Sequence, residues 1–273
     1  MYILFRRYDH LDDATTPLSE GVTPNGQSLS KTDIRSQIKQ YGDYVQITDK
    51  VDLTARDPVL TEAAELLGEQ MGRTRDKLVR NAILHDYYDN RATYANAVAA
   101  STSGDKFSQT HVMDAVDKLL GENARFLTNV IRPSTGYNTM PIRQAYVAIC
   151  HTDMREAIED MSDFVPISEY PSNETIMDGE WGAVKNVRFI LSTIADKGDI
   201  CTNGNYVIPV FGADAYGVTE LAGGAASNIV KAMGSAGTAD PLDQRTTSGW
   251  KMWMTASVLN DKFMALIHDV GKE

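Results

Sequence analysis

The sequence predicts an α+β fold, and three observations carry that prediction. From Tyr44 to Leu53 the residues alternate, with Val45, Ile47, Val51 and Leu53 on one side and Tyr44, Gln46, Thr48, Lys50 and Asp52 on the other, the two-residue period of a strand. At Asp57-Pro58 that run passes into an amphipathic helix of unusual length. Further along, short apolar segments follow one another without the regular helix between strands that a parallel βαβ sheet requires. With 273 residues, 42% of them apolar, the chain can bury a core divided between two lobes.

Taken in order, Tyr2 to Tyr8 is rich in β-formers and reads as a strand. The residues between it and the strand ending at Leu53 are dense in Thr, Ser, Gly, Pro and Asp, with turn formers at Thr16-Pro17 and Thr23-Pro24-Asn25-Gly26. An isolated two-stranded excursion is marginal in water. Residues 2 to 53 are therefore expected to need another surface to complete them, most simply a second copy of the chain.

Asp57 caps the helix and Pro58 opens it, since a missing N–H costs nothing in a first turn. Leu60, Ala63, Ala64, Leu67, Met71, Leu78, Ala82 and Ile83 recur every three or four residues, and the pattern runs on to about Asn90. At 1.5 Å per residue this is a rod of about 45 Å. Gly68 and Gly72 stand inside it, where each costs about 1 kcal/mol relative to alanine. Their shared side predicts close approach of another backbone, against the plain reading of a tolerated defect.

Tyr94 to Asp105 is a small-residue linker or irregular strand, and Ser108 reads as the N-cap of a helix carrying Val112, Ala115, Val116, Leu119 and Leu120, ended near Gly121. After a loop with Pro133, Gly136 and Pro141, the run Ala145 to Cys150 has the continuous apolar character of a buried strand. Thr152 is placed to cap a following helix, Asp153 to Met161. A glycine-bearing segment follows at Gly179-Glu180-Trp181-Gly182. Strands are then expected at Val187 to Thr193, Tyr206 to Phe211, Asn228 to Met233, Trp250 to Val258 and Phe263 to His268. In the fourth of these, Trp250, Met252 and Met254 alternate with Lys251, Trp253 and Thr255, which predicts contacts on both faces. There is no internal repeat.

The formal charge of −11 argues against reading or wrapping nucleic acid, which needs a basic face. Two cysteines, Cys150 and Cys201, in a chain of this length imply a reducing compartment and small buried side chains. No run reaches the roughly 20 apolar residues of a bilayer span, and Arg6 and Arg7 follow the apolar start in the wrong order for a secretory signal, so the chain reads as cytosolic when made.

No catalytic constellation survives inspection. Cys150 and His151 are adjacent on a strand and point to opposite faces. Asp9, His10, Asp12 and Asp13 lack the glycine and closing glutamate of a calcium loop and read as a solvated turn. Gly234-Ser235-Ala236-Gly237-Thr238 has no lysine at the phosphate-loop offset. Asn173-Glu174-Thr175 is a sequon without a secretory signal. Glu62 with Glu65, and Glu156 with Glu159 and Asp160, lie on the wet sides of helices. No cofactor and no metal are expected.

Several stretches together resemble the major capsid proteins of short-tailed bacteriophages with the Hong Kong 97-type fold: Phe5-Arg6-Arg7-Tyr8, Leu18 to Pro24, Gln40 to Val45, Thr48 to Val51, Leu66 to Gln70, Ala145 to Ile149, Val187 to Phe189, Gly212 to Gly217 and Asp240 to Arg245. Their order covers nearly the whole chain. The resemblance implies an extended hairpin loop over residues 1–54 that lies across a neighbouring subunit, and a spine helix with the first part of a peripheral domain over 55–105. It implies an axial domain over 106–216, whose tips meet at the centres of hexamers and pentamers, and the remainder of the peripheral domain over 217–273.

Subunit contacts are then expected at Phe5, Arg6, Arg7, Tyr8, Glu20, Lys39, Tyr41, Asp43, Gly68, Gly72, Asp240, Gln244 and Arg245. The implied role is structural and not enzymatic: self-assembly into an icosahedral head around double-stranded DNA held without sequence-specific contacts. The implied partners are a portal and decoration proteins, with no membrane. The implied place is the virion, assembled in the bacterial cytoplasm. An acidic lining would leave packaged DNA free to be ejected. Relatives carry an arm ahead of the first strand, so a chain starting at the strand is expected to be a partial product. Some relatives cross-link a hairpin lysine to a neighbour's asparagine; no such bond is expected between Lys31 and Asn260. Two other readings stay open: a cellular nanocompartment shell of the same fold, and a cytosolic hydrolase centred on Cys150 or on Asp9 to Asp13.

Overall fold

The computed structural model describes residues 1–54, 57–89, 97–99, 105–132, 140–172, 176–197, 205–221, 224, 226–235, 237 and 240–271. In chain order the elements are β1 (Tyr2–Tyr8), β2 (Lys31–Gln37), β3 (Lys39–Thr48), α1 (Asp49–Thr54), α2 (Val59–Asp89), β4 (Ala97–Ala99), β5 (Asp105–Lys106), α3 (Gln109–Gly121) and β6 (Tyr146–His151). There follow α4 (Arg155–Glu159), β7 (Phe164–Pro166), β8 (Glu180–Val184), β9 (Val187–Ser192), β10 (Tyr206–Phe211), β11 (Tyr216–Glu220), β12 (Ser227–Lys231), β13 (Arg245–Val258) and β14 (Met264–Gly271). Cys201 and the sequon at Asn173 lie outside the described residues.

Two sheets divide the core, as an α+β chain of mixed connectivity requires. The larger runs β4-β14-β10-β6-β9-β8-β7, with β5 also on β14, and mixes parallel with antiparallel pairs. Its strands are buried on both faces, which explains their continuous apolar sequences. Tyr146, Ala148 and Cys150 of β6 pack with Val112, Ala115, Val116 and Leu119 of α3. Val147 and Ile149, one residue out of phase, pack towards Ile83 and Leu84 of α2. β14, from the part of the chain after residue 216, lies within this sheet beside β10.

The smaller sheet is built on β13, fourteen residues long. β3 pairs with it antiparallel from Arg245↔Thr48 to Met254↔Lys39. β12 and then β11 run end to end along the opposite edge, at 247–251 and 254–258. The Gly224 carbonyl accepts the Trp253 N–H in the interval between them. Both glycines of the β3–β13 pair mark close backbone approach: a Cβ on Gly42 would lie 2.6 Å from the Trp250 carbonyl oxygen, and one on Gly249 2.7 Å from the Tyr44 Cβ.

The length of α2 follows from this arrangement, because the helix serves both sheets. Leu67, with half-buried Met71 and Leu78, lies on Trp250, Met252 and Met254 of β13. The second half of the helix puts Ile83 and Leu84 on the large sheet. The start after Asp57-Pro58 and the spaced apolar stripe agree with the sequence reading. So does the Ser108 cap, where His111 Nδ1 takes the place of a capping-box carboxylate by accepting from the Ser108 backbone N–H at 3.3 Å.

Four readings are corrected. The strand expected to reach Leu53 ends at Thr48, and residues 49–54 are helical, because β13 stops offering partners at Arg245; the Asp49 N–H reaches the Gln244 carbonyl at 3.0 Å and Asp49 Oδ1 then accepts the Lys50 N–H. Val51 and Leu53, placed on one side of that strand with Val45 and Ile47, are 45% and 84% exposed, whereas Ile47 is 5% exposed. The partner of β1 is β2, inside the stretch read as turn formers, in register from Tyr2↔Gln37 to Tyr8↔Lys31. After β6 the cap is the His151 side chain, whose Nδ1 accepts the Asp153 N–H at 3.1 Å, so a 3-10 turn at Thr152–Met154 precedes α4.

Candidate functional site

The surface that sets this molecule apart is the β1–β2 hairpin. Alternation in β1 gives it two unlike faces. Ile3, Phe5 and Arg7, with Ile34 and Ser36 of β2, are half-buried against the body. Phe5 packs over Gly217, the Ser36 and Thr255 hydroxyls are 2.6 Å apart, and Arg7 donates to the Leu259 carbonyl and to Asn260 Oδ1, both at 3.1 Å. The opposite face is open: Tyr2, Leu4 and Tyr8 are 53–61% exposed, Arg6 pairs with Asp33 at 3.1 Å, and the Arg35 guanidinium lies over the Tyr2 ring.

Beyond Tyr8 the chain leaves the body. Every residue from 9 to 30 is exposed, and their hydrogen bonds run along the excursion itself: Asp9 N–H to the Ser30 carbonyl, the Ser30 hydroxyl to Asp9, Gln27 to the Asp12 carbonyl and Val22 N–H to the Ser19 carbonyl. Gly21, at φ +76°, supplies the left-handed position of that last turn, next to Glu20. Leu11, Leu18, Val22 and Leu29 are 56–78% exposed. Asp9, His10, Asp12 and Asp13 all sit at the start of this segment; among the described residues no group of three acidic, histidine or cysteine side chains converges as metal ligands do.

The remaining expected contact residues fall in two places near the small sheet. Asp43 of β3 is joined to α2 through Gln70, whose amide donates to Asp43 Oδ2 at 2.6 Å and accepts from Trp250 Nε1 at 3.1 Å. That hydrogen bond, with a second from the Tyr44 backbone, holds the Asp43 carboxyl below the usual carboxylate range. Tyr41 packs in the same cluster and Lys39 is exposed at the strand's start. Gln70, which joins β3, α2 and β13 in this way, is a residue to which the sequence reading gave no role. At the other end Asp240, buried, pairs with Arg245 at 3.4 Å, and the Gln244 carbonyl receives Asp49. Gly68 and Gly72 face open space: among the described residues a methyl group added to either would meet nothing within 4 Å beyond the helix itself, so none of their backbone makes the approach expected there.

The large sheet holds two polar clusters. Arg188 of β9 and Glu180 of β8 are both nearly fully buried and form a two-pronged pair at 2.6 Å, with the Tyr170 hydroxyl and the Met177 N–H completing the carboxylate. Burial pushes the Tyr170 phenol up. Nearby Asp153 accepts from the Tyr206 hydroxyl at 2.8 Å and pairs with Lys197 at 3.1 Å, which holds its carboxyl low, while burial and that same bond push Tyr206 up to about 12. Cys150 is fully buried in the α3 face of the sheet, and burial pushes its thiol up. His151 lies beside the Tyr206 ring and accepts the Asp153 N–H. A cleft of about 500 Å³ lies where α2 crosses the sheet, lined by Arg75, Arg80, Ile83, Ile190, Phe211 and Val218 among others.

Comparison with known proteins places this geometry. The model of a family described as phage capsid protein matches residues 31–267. No curated protein sequence matches. Among solved structures, the capsid of the cyanophage P-SCSP1u is similar with a TM-score of 0.66 at 14% identity, over 100% of this chain and 84% of that one. The acid-stable capsid of Helicobacter pylori bacteriophage KHP30 gives 0.63 at 10% identity, over 99% and 85%. The holo-SrpI encapsulin complex of Synechococcus elongatus gives 0.57 at 13% identity, over 89% and 79%.

Proposed function

The chain belongs to the phage capsid protein family, and on that premise we propose that it builds an icosahedral head around double-stranded DNA through its outstretched hairpin. Its fold is the Hong Kong 97-type fold of phage capsids, its role is that of a major shell protein, and its place is the virion capsid. The observation that carries the proposal is the hairpin: a rooted inner half and an outer segment, 9–30, exposed throughout with its leucines uncovered. Such a ribbon gains burial only from another molecule.

In this reading residues 1–54 form the loop that crosses to the neighbour and α2 is the spine that carries both sheets. The parts about 106–216 meet at the centres of hexamers and pentamers. Phe5, Arg7, Tyr41, Asp43, Asp240 and Arg245 act by holding the root and sheet in one geometry, while Arg6, Tyr8, Glu20, Lys39, Gly68 and Gly72 face the neighbour. A portal, decoration proteins and loosely held DNA complete the particle. We assign no catalytic step: the Cys150 thiol is sealed in the core and His151 Nδ1 is engaged by backbone. The likeness to an encapsulin favours one second reading, a shell around protein cargo.

Electron microscopy and nuclease treatment of purified particles test the proposal. Closed shells containing nuclease-protected DNA are expected; shells holding only protein select the second reading, and subunits that never form shells contradict both.

A further inference from the structure

The excursion beyond the hairpin root contains a peptide bond set up for a reaction of its own. Asn25 is followed by Gly26, and both are exposed and outside any strand or helix. Among the described residues neither the Gly26 N–H nor the Asn25 side-chain amide takes part in a hydrogen bond, and a Cβ built on Gly26 would meet nothing within 4 Å. The Gly26 nitrogen can therefore turn onto the Asn25 side chain, with no ladder bond to break and no Cβ to shield it. Other asparagines are held back. After Asn123 the Ala124 N–H is donated to the Leu119 carbonyl at 2.9 Å. After Asn186, whose own amide donates to the Gln144 carbonyl at 2.9 Å, comes the β-branched Val187 at the start of β9. Asn260 keeps its amide oxygen on Arg7 and on the Lys262 N–H. Asn203-Gly204 repeats the pair in the sequence and lies outside the described residues.

We propose that Asn25 is a site of spontaneous deamidation, and that the charge it creates marks the age of an unassembled subunit on its hairpin. The Gly26 nitrogen gives up its proton to solvent base and attacks Asn25 Cγ. A C–N bond forms, the Cγ–Nδ2 bond breaks, and the side-chain nitrogen takes a proton from water and leaves as ammonia. Water then opens the resulting succinimide at one of its two carbonyls: at Cγ it leaves aspartate, and at the backbone carbonyl it leaves isoaspartate, whose main chain is one carbon longer. The reaction uses water alone and involves no redox change. Position 25 lies two residues from Gln27, whose amide donates to the Asp12 carbonyl at 2.7 Å across the excursion. The new carboxylate therefore joins the arm opposite Asp12 and Asp13, in a segment, 9–30, that already holds Asp9 and Glu20 and no lysine or arginine. Like charges repel across the arms, so the aged ribbon meets a neighbour more open and more acidic. That consequence, unlike the deamidation itself, rests on the shell reading above.

Peptide mapping by mass spectrometry of the full chain, kept as unassembled subunits, tests the chemistry. Acid at position 25 is expected to accumulate, with isoaspartate in excess of aspartate, and faster as pH rises because the attacking group is the deprotonated Gly26 nitrogen. The rate is expected to lie within about tenfold of that in the same chain unfolded in denaturant; a slower conversion means that the folded segment protects Asn25, and overturns the site. Gly26→Ala is expected to slow the conversion by about tenfold, and an unchanged rate overturns the succinimide route. Assembly tests the consequence. Parent subunits aged until position 25 is mostly acid, and fresh Asn25→Asp subunits, are expected to form shells only at about threefold higher concentration than fresh parent. Asn25→Gln subunits aged equally, which carry every other change that comes with time, are expected to keep the fresh value. Aged parent subunits that assemble as readily as fresh ones overturn the consequence. Fresh parent and Asn25→Gln subunits that form no shells at all defeat the shell reading instead, and the mass spectrum still decides the deamidation.

Discussion

At the scale of single residues, Arg188 and Glu180 show how much of the large sheet depends on one pair. Both are nearly fully buried, and their two 2.6 Å contacts satisfy each other in a medium that screens little. Removing one member strands the other charge, so Arg188→Met is expected to cost about 3–5 kcal/mol in the subunit's denaturant unfolding, and the double change with Glu180→Leu less than that. The Asp153–Tyr206 contact gives a second prediction, in pH. Asp153 is held low, so its contribution is present above the ordinary carboxylate range and is lost as pH falls through it. Tyr206, pushed up to about 12, holds its proton longer folded than unfolded, so its contribution is whole below the ordinary phenol value of about 10 and is lost as pH rises from there. Melting temperature followed against pH should therefore decline at both ends, and Tyr206→Phe should flatten the alkaline limb. A parallel decline in that variant removes Tyr206 from the explanation. Neither cluster was legible in sequence as a cluster: Arg188 sits in a segment read correctly as a strand, yet the strand's pattern does not say which of the distant carboxylates answers the charge. An arginine in the middle of such a run was the available signal.

At the scale of elements, α2 is the piece that sequence states best, because a helix is specified by residues three and four apart. Its neighbours on each side show the limit. Residues 49–54 alternate like a strand but have no partner beyond Arg245, and hydrogen bonding to Gln244 and within the turn wins over the alternation. β2, with Ile34 as its single large apolar residue, has almost no periodic signal of its own and is fixed by its register with β1. Strand identity here is a property of pairs. The helix face assignments give the prediction proper to this scale. Leu67 is 4% exposed beneath Trp250 and Met252, and Leu67→Ala is expected to cost about 2–5 kcal/mol in subunit unfolding. Leu66, one residue away and 62% exposed, should change it by less than about 0.5 kcal/mol when replaced by alanine. Equal effects would mean that the helix is rotated from the position described.

At the scale of the whole molecule, the acidic chain, the two-sheet body tied by one helix and the uncovered ribbon describe a subunit finished only by its neighbours. The exposure of residues 9–30 was legible in the sequence from the turn-rich excursion, since such a segment has no means of burying itself. The most direct test is cryo-electron microscopy of assembled particles at side-chain resolution, tracing residues 9–30. The expected map shows that segment crossing to an adjoining subunit in every ring of the shell; a map in which it turns back and lies against its own subunit contradicts the central claim.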